Sequence, residues 1–268
     1  KIAAATKNHA GLVYLSWKGG SGAMVHLWRD PETGQYGLRH FERLDGSFGH
    51  FAPVEDALKP EMIGDHGTMI VLLGNDELID DTMKAPEGSP SPPRWIAKYL
   101  NTRYFRLPPG IDVRAREGWE YERSDKDRNL LRRITGQEEY LKQHSSAVGA
   151  VELSNASARW WILKDDAALT QNSGFVESSG HVAALYRDEL YDAATGRSAT
   201  ALLQRFGVLF GQRRVVIYVE PSSFEKHVVT TNTVRTNLLL DHLPLPWTDW
   251  AAEFREAMPA EIEAMMEE

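Results

Sequence analysis

The segment ATALLQRFGVLFGQRRVVIYV, residues Ala199 to Val219, decides the fold of this chain. Ala199 to Phe206 has the apolar spacing of a helix, and Arg213 to Val219 is a strongly β-branched run typical of a strand. A helix that joins two strands running in the same direction must cross the face of their sheet. We therefore expect Ala199 to Val219 to be one arm of a βαβ-like unit.

Further elements are predicted around this unit in the second half of the chain. Alternating and apolar runs predict strands at Ala147 to Leu153, Arg159 to Leu163 and His181 to Tyr186. The end of the chain, Trp247 to Met266, predicts two short amphipathic helices that are separated at Pro259. The mixture of sheet and helices places the chain in the α+β class.

The first third of the chain predicts an antiparallel meander. Its strands are expected at Leu12 to Trp17, Ala23 to Trp28 and Tyr36 to Phe41, joined by Gly-rich and Pro-containing turns. Thr68 to Leu73 is expected as a buried, continuously apolar strand. Trp95 to Leu100 is expected as a helix that begins after Pro92 and Pro93.

The length and composition predict a soluble chain of two domains, residues 1–120 and residues 121–268. The 268 residues are 42% hydrophobic and 25% charged, which suits one or two ordinary cores. The segment Glu117 to Arg133, rich in charges of both signs, is the expected junction. The chain begins at Lys1 with an apolar, helix-like segment that lacks a capping residue, so we expect it to be the later part of a larger protein.

Composition also excludes several classes of protein. The net charge of -8 argues against a globally basic nucleic-acid binder, although a local basic surface remains compatible with it. The absence of Cys excludes disulfides and thiolate metal sites and is compatible with a cytoplasmic chain. No apolar run reaches the roughly 18 residues that span a bilayer, so no membrane partner is expected. The nine His lack the i, i+4 spacing of a helical zinc site, and no metal site is predicted.

Gly67 and Thr68, at the start of the apolar run, are candidate ligand contacts. A glycine lets the backbone approach a planar ligand closely, and a threonine hydroxyl can form a hydrogen bond to it. The same two residues also suit an ordinary turn followed by a β-branched residue. The residues alone leave both interpretations open.

The order of these segments resembles the GHKL ATPase family, which includes DNA gyrase B, MutL-type mismatch-repair ATPases, MORC proteins and the ninety-kilodalton heat-shock chaperones. Lys1 to Thr6 is similar to the segment that follows the glycine-rich lid, and Leu12 to Phe41 is similar to the sheet. Gly67-Thr68 resembles the dipeptide beside the adenine. The resemblance implies a partial Bergerat-type α/β sandwich in which Lys1, Gly67 and Thr68 contact the nucleotide.

A second resemblance concerns the transducer-like α+β domain that follows in gyrase-like and MutL-like proteins. Arg214 to Phe224, then Thr233 to Leu238, is similar in layout to the strand, proline-containing turn and Gln-Thr-Lys loop of gyrase. Arg235 stands where the lysine would be, which implies a catalytic residue on the γ-phosphate; its guanidinium grips oxygens bidentately, unlike an ammonium. The alternative is that Arg235 is an ordinary charge early in a helix from Thr233 to Leu240.

The sequence departs from the family in its catalytic motifs. It has no counterpart of the catalytic Glu, the Mg²⁺-binding Asn or the Asp-x-Gly-x-Gly box, which we expect upstream of Lys1. This chain alone is therefore not expected to hydrolyse ATP. The resemblance implies ATP and Mg²⁺ as cofactors, with the Mg²⁺ ligand upstream, and implies ATP-dependent homodimers that act on a protein client or on DNA.

The expected function is an ATP-binding, ATP-hydrolysing conformational clamp whose nucleotide state controls dimerisation or partner engagement. The alternative is a non-enzymatic interaction module that docks a partner through exposed Trp247 and Trp250.

On a strand, Trp160 and Trp161 should place one indole inward and one outward, and partial burial of the outward indole is favoured over an interface.

Overall fold

The computed structural model describes residues 10–74, 85, 88–89, 91–117, 130–165, 174–222, 227–233 and 235–268. The chain divides into two compact units, Lys1–Ala85 and Pro86–Glu268. The α+β class is confirmed, because the described residues combine five α-helices with several mainly antiparallel sheets. The domain boundary expected after residue 120 lies within the second of these units.

The first unit is an antiparallel sheet with a short ribbon. Its strands are β1 (Leu12–Lys18), β2 (Ser21–Arg29), β3 (Tyr36–Leu38), β4 (Phe41–Glu42), β5 (Phe48–Gly49), β6 (Ala52–Val54) and β7 (His66–Leu72). The order across the sheet is β3, β2, β1, β7, and β6 pairs with the other end of β2. The predicted meander is confirmed, although the segment expected as a third strand is divided between β3 and β4, which belongs to the separate β4–β5 ribbon.

One face of this sheet packs a small core, and the other face is open within the described residues. Leu15, Trp17 and Val54 are buried on the packed face. On the opposite face Tyr14 pairs with Ile70, and these side chains are 38% and 53% exposed. The expectation of a buried strand at Thr68 to Leu73 is therefore wrong, because β7 pairs only with β1 among the described strands and only one of its faces is covered.

The second unit is built on a five-stranded sheet. The strands of the whole second unit are β8 (Val113–Ala115), β9 (Arg132–Ile134), β10 (Ser145–Glu152), β11 (Ala156–Leu163), β12 (His181–Tyr186), β13 (Glu189–Ala194), β14 (Val215–Pro221), β15 (Val229–Thr231), β16 (Leu238–Leu240) and β17 (Leu243–Pro244). Its helices are α1 (Trp95–Arg103), α2 (Gln137–His144), α3 (Gly196–Arg205), α4 (Trp247–Glu256) and α5 (Ala260–Glu267). None of the helices in the described part of the chain is long and apolar enough to cross a bilayer.

The main sheet has the order β10, β11, β14, β12, β13, and its only parallel pair among the described strands is β12 with β14. Helix α3 lies between these two strands in the sequence, so the predicted crossing helix is confirmed. The sequence did not predict β13, which pairs antiparallel with β12 and precedes α3 in the chain. The three strands expected in this half and the two C-terminal helices are also confirmed. His181 to Tyr186 has its predicted ends, and the other ends are shifted by a few residues.

Both faces of the main sheet are covered. Trp160 lies on one face, in the same buried cluster as Leu203 of α3 and Phe254 of α4. Trp161 packs on the other face against Phe105 and Tyr218. The two indoles lie on opposite faces as predicted, and the burial that was favoured over an interface is confirmed. The expectation that one indole would point outward is wrong, because apolar layers cover both faces of the sheet at this position.

The C-terminal helices belong to the first of these two layers. Trp250 has no exposed surface, and the centroid of its ring lies 5.4 Å from that of the Trp247 ring. Trp247 itself packs against the same core. The expected docking surface formed by Trp247 and Trp250 is therefore wrong, because helix α4 turns its aromatic face toward the sheet.

Candidate functional site

Arg235 lies in a tight loop between two antiparallel strands, β15 and β16. The helix expected from Thr233 to Leu240 is wrong, because Leu238 and Leu240 alternate into the core as residues of a strand do. The Arg235 backbone is left-handed, with φ of 56°. Its side chain is 62% exposed, so the guanidinium stands at the tip of the loop.

Side-chain hydrogen bonds of Asn232 hold this loop, which we call the Arg235 loop and define as Asn232, Thr233, Arg235, Thr236 and Asn237. Asn232 Oδ1 accepts from the backbone N–H groups of Thr236 at 2.8 Å and Asn237 at 3.2 Å. Its Nδ2 donates to Thr236 Oγ1 and to Asn237 Oδ1, each at 3.0 Å. The side-chain amide of Asn232 thus closes the turn, and the apolar pattern of the sequence does not predict a turn here.

Asp192 of β13 ties the Arg235 loop to the main sheet. Its two carboxylate oxygens accept from Asn237 Nδ2 at 2.5 Å and from the Leu238 N–H at 2.8 Å. Its own N–H donates to the Thr236 carbonyl at 3.0 Å. Because Asn232 closes the loop and Asp192 holds its C-terminal end, Arg235 is presented from an ordered scaffold, which reduces the entropy lost when a ligand orders it.

Glu189 is the counter-ion of Arg235. Its Oε1 accepts from Arg235 Nη2 at 3.0 Å, and its Oε2 accepts from Arg103 Nη2 at 2.5 Å and from the Tyr191 hydroxyl at 2.9 Å. Burial raises the pKa of this carboxyl, but the hydrogen bonds from Tyr191 and Arg103 outweigh burial and hold the pKa below its ordinary value. The carboxylate is therefore charged at neutral pH.

Arg235 keeps its charge under all ordinary conditions. A hydrogen bond with Tyr191 and the charge of Glu189 raise the pKa of its guanidinium further above the usual value. A guanidinium at a loop tip offers several N–H donors in a planar fork, which matches the geometry of phosphate oxygens. The chemistry available at this position is therefore oxyanion binding.

Gly67 and Thr68 lie inside β7, not ahead of a strand. A Cβ atom at Gly67 would come within 2.4 Å of Ile63 Cγ2, so the glycine makes room for Ile63 on the packed face. Thr68 is exposed and pairs across the sheet with Ser16, whose hydroxyl donates to the Gly67 carbonyl at 3.5 Å. The hydroxyl of Thr68 thus faces the open side of the sheet, and a ligand-binding role for these residues stays a prediction.

The remaining predicted contact, Lys1, lies outside the described residues. Gly67 and Thr68 belong to the first compact unit and Arg235 to the second. Within the described part of the chain, no group of three or more His, Asp or Glu side chains is arranged to hold a metal ion.

A buried polar pair in the second unit was not singled out by sequence reasoning. His181 Nδ1 lies 2.8 Å from the Ser179 carbonyl, which can only accept, so this nitrogen carries the proton. His181 Nε2 then accepts from the Tyr218 hydroxyl at 2.7 Å. Burial lowers the pKa of His181 and raises that of Tyr218, so both groups are neutral.

The segment just before His181 is held by a second buried group, Lys98 of α1. Its Nζ donates to the Val176 carbonyl and lies 3.5 Å from Glu177 Oε2. Gln137 exchanges two hydrogen bonds with the backbone of Glu177. These contacts fix a loop and need no ligand, so we assign them a structural role.

Comparisons with known proteins leave the family of this chain open. No protein-family model matches the sequence, and no curated protein matches it. Among solved structures, the chain is similar to the B subunit of the DNA gyrase from Myxococcus xanthus, with a TM-score of 0.41 and 11% sequence identity over 97% of this chain and 68% of that chain. A similarity this distant assigns neither a family nor an activity.

Proposed function

We propose that this chain is the phosphate-sensing part of an ATP-binding, ATP-hydrolysing clamp of the GHKL type, whose nucleotide state controls dimerisation or partner engagement. The observation that carries the proposal is Arg235, a permanently charged guanidinium presented at the tip of a rigid loop. The sequence layout around Gly67, Thr68 and Arg235, which resembles that family, supports the same function.

The proposed mechanism is an exchange of partners by Arg235. In the structure Arg235 pairs with Glu189, and this ion pair is weak because water around the exposed guanidinium screens it. When Arg235 leaves, Glu189 keeps Arg103 and Tyr191 as donors, so no buried charge is left unpaired. A nucleotide whose terminal phosphate engages Arg235 only in the closed state shifts the population toward that state.

The other proposed contacts serve nucleotide binding. Gly67 and the Thr68 hydroxyl would contact the adenine side of the nucleotide, and Lys1 would also contact the nucleotide. ATP would supply the terminal phosphate that Arg235 binds. Mg²⁺ would neutralise phosphate charge and would be held by a ligand outside this chain.

Light scattering on the full-length protein, with and without a non-hydrolysable ATP analogue, tests the proposal. We expect the analogue to convert monomer into dimer, and we expect Arg235→Asn to require about tenfold more analogue, because one charge-assisted contact is lost. Asparagine tolerates the left-handed backbone of this position better than alanine does. Analogue binding itself should weaken less than dimerisation.

Arg197→Gln is the matched control, since Arg197 is an exposed arginine at the start of α3. It should dimerise as the wild type does. If the analogue neither changes the mass of the wild-type protein nor raises its thermal stability, the protein does not respond to ATP and the proposed function is wrong.

A further inference from the structure

A surface cavity of about 430 Å³ adjoins the Arg235 loop. The residues that line it include two arginines, four residues with hydroxyl groups and one glutamate, namely Arg187, Arg235, Tyr186, Tyr191, Thr230, Thr231 and Glu189. Among the charged side chains of this lining, two are cationic and one is anionic. Such a cavity is complementary to a compact oxyanion rather than to a cation or an apolar group.

The charge of the carboxylate is already compensated from outside the cavity. Arg103 does not line the cavity, is 13% exposed and binds Glu189 at 2.5 Å. Arg103 and Arg235 share the one carboxylate of Glu189, so the group that these residues form with Arg187 keeps an excess of positive charge. This local excess of positive charge occurs on a protein whose net charge is -8.

Arg187 has no anionic partner in the described part of the chain. No carboxylate oxygen among the described residues lies within 4.0 Å of its guanidinium, which instead lies 5.1 Å from the centre of the Tyr186 ring. Its backbone is left-handed, with φ of 51°, in the two-residue turn that joins β12 to β13. Arg187 and Arg235 are thus presented by two separate hairpin turns to one cavity.

We propose that this cavity binds a phosphate group, with Arg187 as a second cation beside Arg235. The proposal deepens the proposed function and rests on it for the identity of the ligand, the terminal phosphate of a nucleotide. Inorganic pyrophosphate offers the same oxyanion chemistry without a nucleoside. The site itself can therefore be tested apart from the response to ATP.

Isothermal titration of the full-length protein with pyrophosphate, at constant ionic strength, tests the site directly. We expect Arg187→Asn and Arg235→Asn each to weaken pyrophosphate binding about tenfold, because each removes one charge-assisted contact. Glu189→Gln should tighten binding, since it removes the one negative charge on the wall. Arg197→Gln should bind as the wild type does.

The outcomes separate this proposal from the proposed function. If Arg187→Asn binds pyrophosphate as tightly as Arg197→Gln does, Arg187 is not part of a phosphate site and the proposal is overturned. The same conclusion follows if the wild-type protein shows no binding at millimolar pyrophosphate. If Arg187→Asn weakens pyrophosphate binding but an ATP analogue causes no dimerisation, the phosphate site stands and the clamp function fails. Arg187→Gly, which also accepts the left-handed turn, replaces the Asn variant if that variant does not fold.

Discussion

His181 and Tyr218 make the stability of the second unit depend on pH. Burial lowers the pKa of folded His181 below the ordinary value of 6.5, at which the side chain titrates in the unfolded chain. Between the folded and the unfolded pKa the unfolded state binds more protons, so the free energy of unfolding decreases as the pH falls below about 6.5. Glu177 opposes this shift and Lys98 adds to it.

The double variant His181→Phe/Tyr218→Phe should flatten this dependence, because it removes both the titrating group and its hydrogen-bond partner. Urea unfolding at several values between pH 5 and pH 8 measures the slope. The single variant Tyr218→Phe should keep the slope and lose about 1–3 kcal/mol, since it leaves His181 Nε2 buried without a donor. An unchanged slope in the double variant would show that other groups cause the dependence.

Gly180 permits the close approach of two backbone segments. A Cβ atom there would lie 1.7 Å from the Gln212 carbonyl oxygen and 2.7 Å from that of Val215. Gly180→Ala should therefore lower the free energy of unfolding by roughly 2 kcal/mol or more, because backbone atoms must move apart. Chemical denaturation measures the loss.

Gly37→Ala is the control for this substitution, because a Cβ atom at Gly37 meets nothing within 4 Å. Gly37 also lies in a strand and has no left-handed backbone. The control variant should unfold close to the wild type. Equal stability of the two alanine variants would contradict the steric role of Gly180.

At the scale of elements, the Asn232 side chain is one of the groups that hold the Arg235 loop, together with Asp192 and the backbone. Asn232→Ala removes the acceptor of the Thr236 and Asn237 N–H groups. We expect these two amides to lose protection in hydrogen exchange, because the loop then opens locally without unfolding the core. Protection of Leu238 should persist, since its N–H is held by Asp192.

Thr233→Ala is the matched control within the same loop, because the side chain of Thr233 is exposed. It should leave the exchange rates of Thr236 and Asn237 unchanged. If both variants expose the two amides equally, the loop is held by its backbone alone and the role assigned to Asn232 is wrong.

The elements that the sequence predicted are those whose apolar pattern matches their burial. The strand His181 to Tyr186 was predicted with its observed ends, and all five of its first residues are buried. The missed strand β13 follows a turn in which Arg187 and Asp188 adopt left-handed backbones without any glycine to signal it. The expected helix at Thr233 to Leu240 failed because side-chain hydrogen bonds, which leave no periodic pattern, form the turn.

The candidate site was predictable only in part for the same reason. The position of Arg235 could be picked out by its place in a motif. Its counter-ion Glu189 lies 46 residues away in the sequence, and the Asn237 anchor Asp192 lies 45 residues away from its partner. Pairs at such separations arise from tertiary packing, and a single sequence carries no local signal for them.

At the scale of the whole molecule, the two compact units have very different cores. The second unit buries apolar layers on both faces of its main sheet, with fully buried side chains that include Trp250, Phe254 and Tyr218. The first unit buries three apolar residues on one face of its sheet, among the residues described. Because apolar burial supplies most of the folding free energy, the second unit should be much the more stable of the two.

We therefore expect residues 86–268 to fold as an isolated fragment, and residues 1–85 not to do so. The fragment 86–268 should unfold cooperatively with heat and show dispersed amide signals in NMR spectra. The fragment 1–85 has an exposed apolar sheet face that includes Ile70 and Leu72, and it should give signals of an unfolded or associated chain.

The boundary is part of this prediction, because β8 and β9 pair across the position expected from sequence to separate two domains. A fragment that begins at residue 121 lacks β8, α1 and Phe105, and Phe105 is a buried contact of Trp161. It should therefore melt at a lower temperature than the fragment that begins at residue 86. Equal melting temperatures for the two fragments would show that residues 86–120 contribute nothing to the second unit and that the boundary lies near residue 120 after all.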